Sequence, residues 1–314
     1  MNLRSCIVIL LLLSFASSPV RAQLFKKPYD TTYISRPQEK WILRTRSRLN
    51  EEKMFLVVGS EDGVFSGASI SNGGEFSQKV GIGYRKLSVG IQLHPFGKKK
   101  SFGYDINILG NRIGISQSAG LSFGMSGKAI SGDSEREINP EDVICLNASL
   151  GAYYAFNHKH FSMPAAMNQS FRQRKSAGSV LATSRLCIMG LSFNNPDDIG
   201  LPIKQVGVQV FGLGGGYGYN WVPSEHWLIH ASLTETVGFL NSSVLVMSGL
   251  NISHPGGHPV FMTKGDFTVM YYLGKCYLGF SANIDGMQCF GKDDSVYYLG
   301  RTNSNALLSA GIRF

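Results

Sequence analysis

Residues 226–239, HWLIHASLTETVGF, decide the reading of this chain. Trp227, Ile229, Ala231, Leu233, Val237 and Phe239 fall on one parity, and His226, His230, Ser232, Thr234 and Thr236 on the other. Leu228 and Glu235 are the exceptions. Successive side chains of a strand point to opposite faces, so one oily and one polar face write this pattern. A segment this long is about twice the usual soluble strand and matches one tilted across a bilayer.

The same alternation recurs outward in both directions. Phe102, Tyr104, Ile106 and Ile108 oppose Gly103, Asp105 and Asn107, and Ile113, Ile115, Ala119, Leu121 and Phe123 oppose Arg112, Ser116, Ser118 and Ser122. Leu146, Ala148, Leu150, Ala152, Tyr154 and Phe156 oppose Cys145, Asn147, Ser149, Gly151 and Tyr153, while Leu278, Phe280, Ala282 and Ile284 oppose Gly279, Ser281 and Asn283. Turn-forming residues break the runs at Ser71-Asn72-Gly73-Gly74, Gly110-Asn111, Val222-Pro223-Ser224-Glu225 and Gly265-Asp266. Longer polar stretches at 127–141, 194–202, 254–259 and 291–295 read as loops. Short turns alternating with long loops are the habit of transmembrane barrels.

The last strand alternates Ala306, Leu308, Ala310, Ile312 and Phe314 against Asn305, Leu307, Ser309, Gly311 and Arg313. An apolar terminal strand ending on Phe314 is the pattern expected of a signal for barrel-assembly machinery.

Ahead of the strands, residues 1–22 read as an export signal. Arg4 gives the positive start, residues 7–13 are uninterruptedly apolar, and Val20-Arg21-Ala22 predicts cleavage before Gln23. Residues 23–40 are expected to be a periplasmic lead-in and 41–314 the barrel. The 292 residues after the leader suggest roughly 12 to 14 strands, with 12 the chosen number and 10–14 the range.

Composition agrees. Charged residues are 16%, against about 25% in a soluble domain, and the 37 glycines are about 12% against a usual ~7%. No apolar run after residue 22 is long enough for a spanning helix. Removing Arg4 and Arg21 from the 30 basic residues leaves 28 against 21 acids, a formal +7 that suits anionic lipid headgroups or a small anionic solute. Cys145, Cys187, Cys276 and Cys289 remain, without metal-ligand spacing. Cys276 and Cys289 could close a loop in an oxidising periplasm, or all four could be small apolar side chains.

From Val80 the chain resembles a family of bacterial envelope proteins known as domain of unknown function 4421. The residues that carry this are Val80-Gly81-Ile82-Gly83-Tyr84-Arg85, Ala155-Phe156-Asn157-His158-Lys159-His160-Phe161-Ser162 and Gly216-Tyr217-Gly218-Tyr219-Asn220. The most specific stretch is Ala165-Ala166-Met167-Asn168-Gln169-Ser170, leading into Gln173-Arg174-Lys175-Ser176-Ala177-Gly178-Ser179. The resemblance covers most of the mature chain. It implies an outer-membrane β-barrel of Gram-negative bacteria with no assigned activity.

Candidate chemistry gathers on the polar face. Arg44, Arg46 and Arg48 share one parity of the first strand, and Arg172 and Arg174 one parity with Asn168 and Ser170. Arg112, Arg185, Lys275 and Arg313 also fall on polar faces. Charge at the bilayer midplane costs about 2–4 kcal/mol, so these groups are expected in the lumen or at the rim. There they would favour anions, or pair with loop acids such as Glu61, Asp62, Glu135 or Glu137.

Enzymatic readings are weaker. His226, His230 and Ser232 share a face, as a nucleophile and base would, but neighbours two apart on a strand are not aimed at each other and no third group is evident. His254 and His258 lack a further ligand for a metal. The 212–216 glycine run fails G-x-G-x-x-G at Tyr217 and continues as a strand, so no nucleotide cofactor is indicated. Lys98-Lys99-Lys100 suits headgroups, and nucleic acid does not fit the compartment. Three functional classes remain: a non-enzymatic barrel, either a narrow anion-preferring pore or a structural envelope component; a lipid-directed barrel enzyme; and a soluble periplasmic β-sandwich binding protein.

Overall fold

A computed structural model of the chain describes residues 29–59, 65–94, 101–131, 134–194, 203–247, 250–255, 260–290 and 297–314. The expected export signal, Glu61, Asp62, Lys98-Lys99-Lys100 and His258 lie outside the described residues.

In chain order the elements are β1 (Ile34–Ser35), β2 (Trp41–Gly59), β3 (Phe65–Ser71), β4 (Glu75–Tyr84), β5 (Leu87–Leu93) and β6 (Ser101–Leu109). There follow β7 (Ile113–Phe123), β8 (Ser126–Ser131), β9 (Ser134–Ile138), β10 (Val143–Ala155), helix α1 (Met163–Met167) and β11 (Arg172–Gln173). The remainder are β12 (Ala177–Phe193), β13 (Ile203–Trp221), β14 (Trp227–Met247), β15 (Leu250–Pro255), β16 (Val260–Leu273), β17 (Cys276–Phe290) and β18 (Tyr297–Arg313).

Twelve strands, β2, β4–β7, β10, β12–β14 and β16–β18, form one antiparallel sheet in sequence order. It closes where β18 pairs with β2, from Tyr297↔Val58 to Arg313↔Ile42. The expected twelve-stranded barrel is the observed one. Closure removes the sheet edges that lipid could not solvate.

Parity places the oily residues outside. Leu43, Val80, Ile91, Leu213, Leu233, Leu278 and Leu308 are exposed large hydrophobics. At the short-turn end Trp41 lies 4.7 Å from Tyr84, and Trp227 4.7 Å from Tyr271, ring centre to ring centre. At the other end Phe211 stands 5.7 Å from Phe239, and Phe290 5.4 Å from Tyr298. Two aromatic girdles bounding an apolar band are the mark of a barrel seated in the outer membrane. No described helix is long and apolar enough to cross a bilayer.

Glycine shapes the wall locally. A Cβ at Gly214 would overlap the Glu235 carbonyl oxygen of β14, so the close approach of these two strands requires glycine there.

Three expectations change. Gly265-Asp266 is not a turn but the middle of β16: Gly265 pairs with Leu233 and Ile284, and Asp266 accepts from Asn283 Nδ2 at 2.8 Å. The 127–141 stretch is not loop alone but holds most of β8 and all of β9, which extend the sheet from β3. Cys276 and Cys289 cannot bond, because they sit at opposite ends and on opposite faces of β17; the four described cysteines are free.

Candidate functional site: the lumen

The interior is occupied in three storeys. The lowest comes from residues 156–176, the connection between β10 and β12, which emerges at the short-turn end and folds back inside. Its single helical turn α1 buries Met163, Pro164, Ala165 and Ala166. Residues of this plug are bound to the wall at many points: Arg46 Nη2 donates to the Met167 carbonyl (3.0 Å), Tyr272 Oη to that of Ala165 (3.3 Å) and Arg313 Nη2 to that of Gln169 (3.2 Å). Asn220 Nδ2 donates to the Ser162 carbonyl (2.9 Å) and to Gln173 Oε1 (3.0 Å). Part of the expected lead-in joins it. β1 pairs with β11 through Ile34↔Gln173, and Ile34 is wholly buried with Phe171 and Leu228.

The middle storey is charged. Glu52 accepts from Arg301 Nε (2.7 Å) and Asn147 Nδ2 (2.8 Å); Arg301 reaches Asp285 (3.4 Å), which also pairs with Arg185. Lys79 pairs with Asp105, which accepts in turn from Asn107 Nδ2 (2.6 Å). Arg48 spreads its donors over Asn305 (2.5 Å), Gln92 (2.6 Å) and Asn50 (2.9 Å). Such charges are tolerable away from water only when paired and hydrogen-bonded.

The upper storey is apolar. Met54, Leu56, Cys145, Cys187, Met189, Leu191, Val206, Val208, Val210, Met262, Met287, Cys289 and Leu299 turn inward from the wall and pack as one cluster. Ala68, Ile70, Ala129 and Ile138 from β3, β8 and β9 complete it.

The predicted basic residues divide between two places. Arg44, Arg46, Arg48 and Arg185 face the lumen. Arg112, Arg172, Arg174 and Lys275 stand at the short-turn rim: Arg112 lies over the Tyr154 ring, Arg172 over Tyr272, Arg174 is exposed, and Lys275 is 3.9 Å from Glu39. Arg172 and Arg174 do not continue a strand face with Asn168 and Ser170, because residues 168–171 are not strand and Gln169 takes a positive φ of 55°. Among the described residues Arg185 takes its acid, Asp285, from the wall, Arg46 donates to the plug's Met167 carbonyl, and Glu135 pairs with Lys128. Phe314 is 58% exposed on the lipid face, and its backbone exchanges two hydrogen bonds with Trp41 (3.0 and 3.1 Å). At the rim, burial and then the nearby Arg36 charge lower the Lys86 ammonium to about 8. Hydrogen bonds from Thr32 hold the exposed Asp30 carboxyl below its ordinary value.

Sequence reasoning missed one constellation. His230 Nε2 lies 3.2 Å from Ser232 Oγ, and Nδ1 lies 2.7 Å from Asn220 Oδ1. The pair two apart on β14 does meet, and Asn220 on β13 is the third group that periodicity could not place. Its connectivity is that of a nucleophile, base and orienting amide. The imidazole is fully buried, and around it β14 pairs with β13 on one edge and β16 on the other. Asn220 also binds the plug, at the Ser162 carbonyl and Gln173.

No curated protein matches the chain. Among solved structures it is similar to the translocator domain of the autotransporter NalP from Neisseria meningitidis, at 12% identity and TM-score 0.41, covering 87% of this chain and 88% of that one. It is similar also to the outer membrane protease OmpT from Escherichia coli (10%, TM-score 0.38, 88% and 98%) and to the toluene transporter TodX of P. putida (10%, TM-score 0.33, 88% and 91%). Likenesses this distant bear on neither activity nor substrate. The family described as Domain of unknown function (DUF4421) matches over residues 28–314, and the chain belongs to it.

Proposed function

We propose that this outer-membrane barrel is a non-enzymatic structural component of the envelope whose lumen does not conduct. The observation that carries the reading is the obstructed interior: a plug bonded to the wall, a charged belt whose Arg185, Arg301 and Lys79 are matched by Asp285, Glu52 and Asp105, and an apolar storey above them. The belt arginines, already held by wall partners, offer a passing anion no free selectivity ring. Barrels of about eight strands are closed by side chains alone, and this wider one adds a plug to them. Liposomes carrying the refolded protein should swell no faster in small sugars than empty ones. Swelling at the rate of an open porin would remove the proposal.

A further inference from the structure

Three lumen arginines stand outside the paired belt. Among the described residues no carboxylate lies within ion-pair distance of Arg44, Arg46 or Arg313. Arg46 donates to the Met167 carbonyl and Arg313 to that of Gln169, whereas the Nε–H groups of both Arg44 and Arg313 are buried with no acceptor. Arg44 is 7% exposed and Arg313 3%. The Tyr277 hydroxyl is buried and unpartnered as well.

These orphans form one group. Register sets Tyr277 beside Gly311, and Gly311 beside Arg44. With no side chain at Gly311, the Tyr277 phenol lies across it; a Cβ there would overlap the ring. On the other flank a Cβ at Gly83 would come within 2.8 Å of an Arg44 terminal nitrogen, so this glycine clears space for the guanidinium. The Arg313 guanidinium stands 5.7 Å from the centre of the Tyr277 ring and 5.3 Å from that of Tyr272. Arg46 shares Arg44's face of β2 and Arg313 lies two residues beyond Gly311, the β18 partner of Arg44, while Asp105 is already held by Lys79 and Asn107.

A buried guanidinium without counter-charge is unfavourable, and each unsatisfied donor adds to that cost. The group is rich in donors, and a ligand that only accepts would satisfy it. We propose that Arg44, Arg313 and Tyr277, with Arg46 beside them, bind one small oxyanion, a phosphate group, between the wall and the plug. Planar guanidinium forks match phosphate oxygens, and the tyrosine hydroxyl adds a neutral donor. A bound anion would also tie the Gln169 end of the plug to β2 and β18. The site stands whether or not the lumen conducts.

The test uses the full-length protein refolded in phosphate-free chloride buffer. Its unfolding midpoint is followed as inorganic phosphate replaces chloride at constant ionic strength. A saturable rise is expected, with affinity reduced about tenfold or more in Arg44→Met and in Arg313→Met, the loss of one charge-assisted contact. Lys275→Met, at the exposed rim, should respond as wild type does. If a methionine variant fails to fold, Arg44→Lys keeps the charge, loses the fork and should show the weakened affinity. Phosphorus-31 spectra of membrane-purified protein separate free phosphate from a lipid headgroup; either one, lost in the Arg44 variant, supports the site. A midpoint indifferent to phosphate, in protein that also carries no phosphorus, overturns it. So does an Arg44→Met variant that responds like wild type.

Discussion

The Arg301 guanidinium donates to the Glu52 carboxylate across 2.7 Å, and this bond spans the seam where the last strand closes on the first of the barrel. Glu52 is almost wholly buried and Arg301 nearly so. Sheet closure and charge burial therefore depend on the same pair. Removing one partner of a buried pair leaves an uncompensated charge, at about 3–5 kcal/mol. Glu52→Gln should lower unfolding stability by that order in a urea titration. A change below about 1 kcal/mol, the worth of an exposed pair, would show that the seam does not rely on it.

The cysteines give a reading of sidedness. Cys276 is exposed at the short-turn rim, whereas Cys145, Cys187 and Cys289 are buried in the lumen. In protein that starts at Gln23, a bulky maleimide should modify one thiol per folded molecule, at Cys276, and four after denaturation. Two or more rapidly labelled thiols in the folded protein would mean that the upper storey is open.

The Asn220–His230–Ser232 chain meets the plug through Asn220. His230→Ala leaves the Asn220 carbonyl without its partner, at about 1–3 kcal/mol, and should lower the midpoint while the barrel still forms. Wild-type protein should hydrolyse neither phospholipid nor p-nitrophenyl esters above a detergent blank. Turnover that Ser232→Ala abolishes would make the chain a catalytic triad.

Gly214→Val tests the close approach of β13 to β14. Its branched side chain has no room beside the Glu235 carbonyl, so the variant should lose the heat-dependent shift in gel migration that marks a closed barrel. A variant with normal migration would show that the wall yields there.

How far the sequence could be read follows from what periodicity measures. A lipid-facing strand repeats its parity for ten residues or more, so β7, β10, β14 and β18 were legible, and with them closure and the number of strands. The plug was not: α1 is a single turn, and Gln169 takes a positive φ of 55° within a stretch where strand parity has no meaning. Its residues nevertheless carried the most specific resemblance, at 165–170. Parity also assigned Arg44, Arg46 and Arg48 to one face, but partners come from register between distant strands. The pairing of Arg301 with Glu52 across 249 residues, and the meeting of Asn220 with His230, leave no local trace. Gly265-Asp266 misled because both residues favour turns in isolation, while the ladder on either side held them extended.

The most direct test of a closed lumen is planar-bilayer conductance of the refolded protein, its folding confirmed by gel migration before and after boiling. The account predicts a flat baseline for the wild type, and current steps only when Arg46→Ala and Asn220→Ala together release the plug. A steady, anion-selective conductance in the wild type, altered by substituting Arg44, Arg46 and Arg48, would contradict it and make those arginines the selectivity element of a pore.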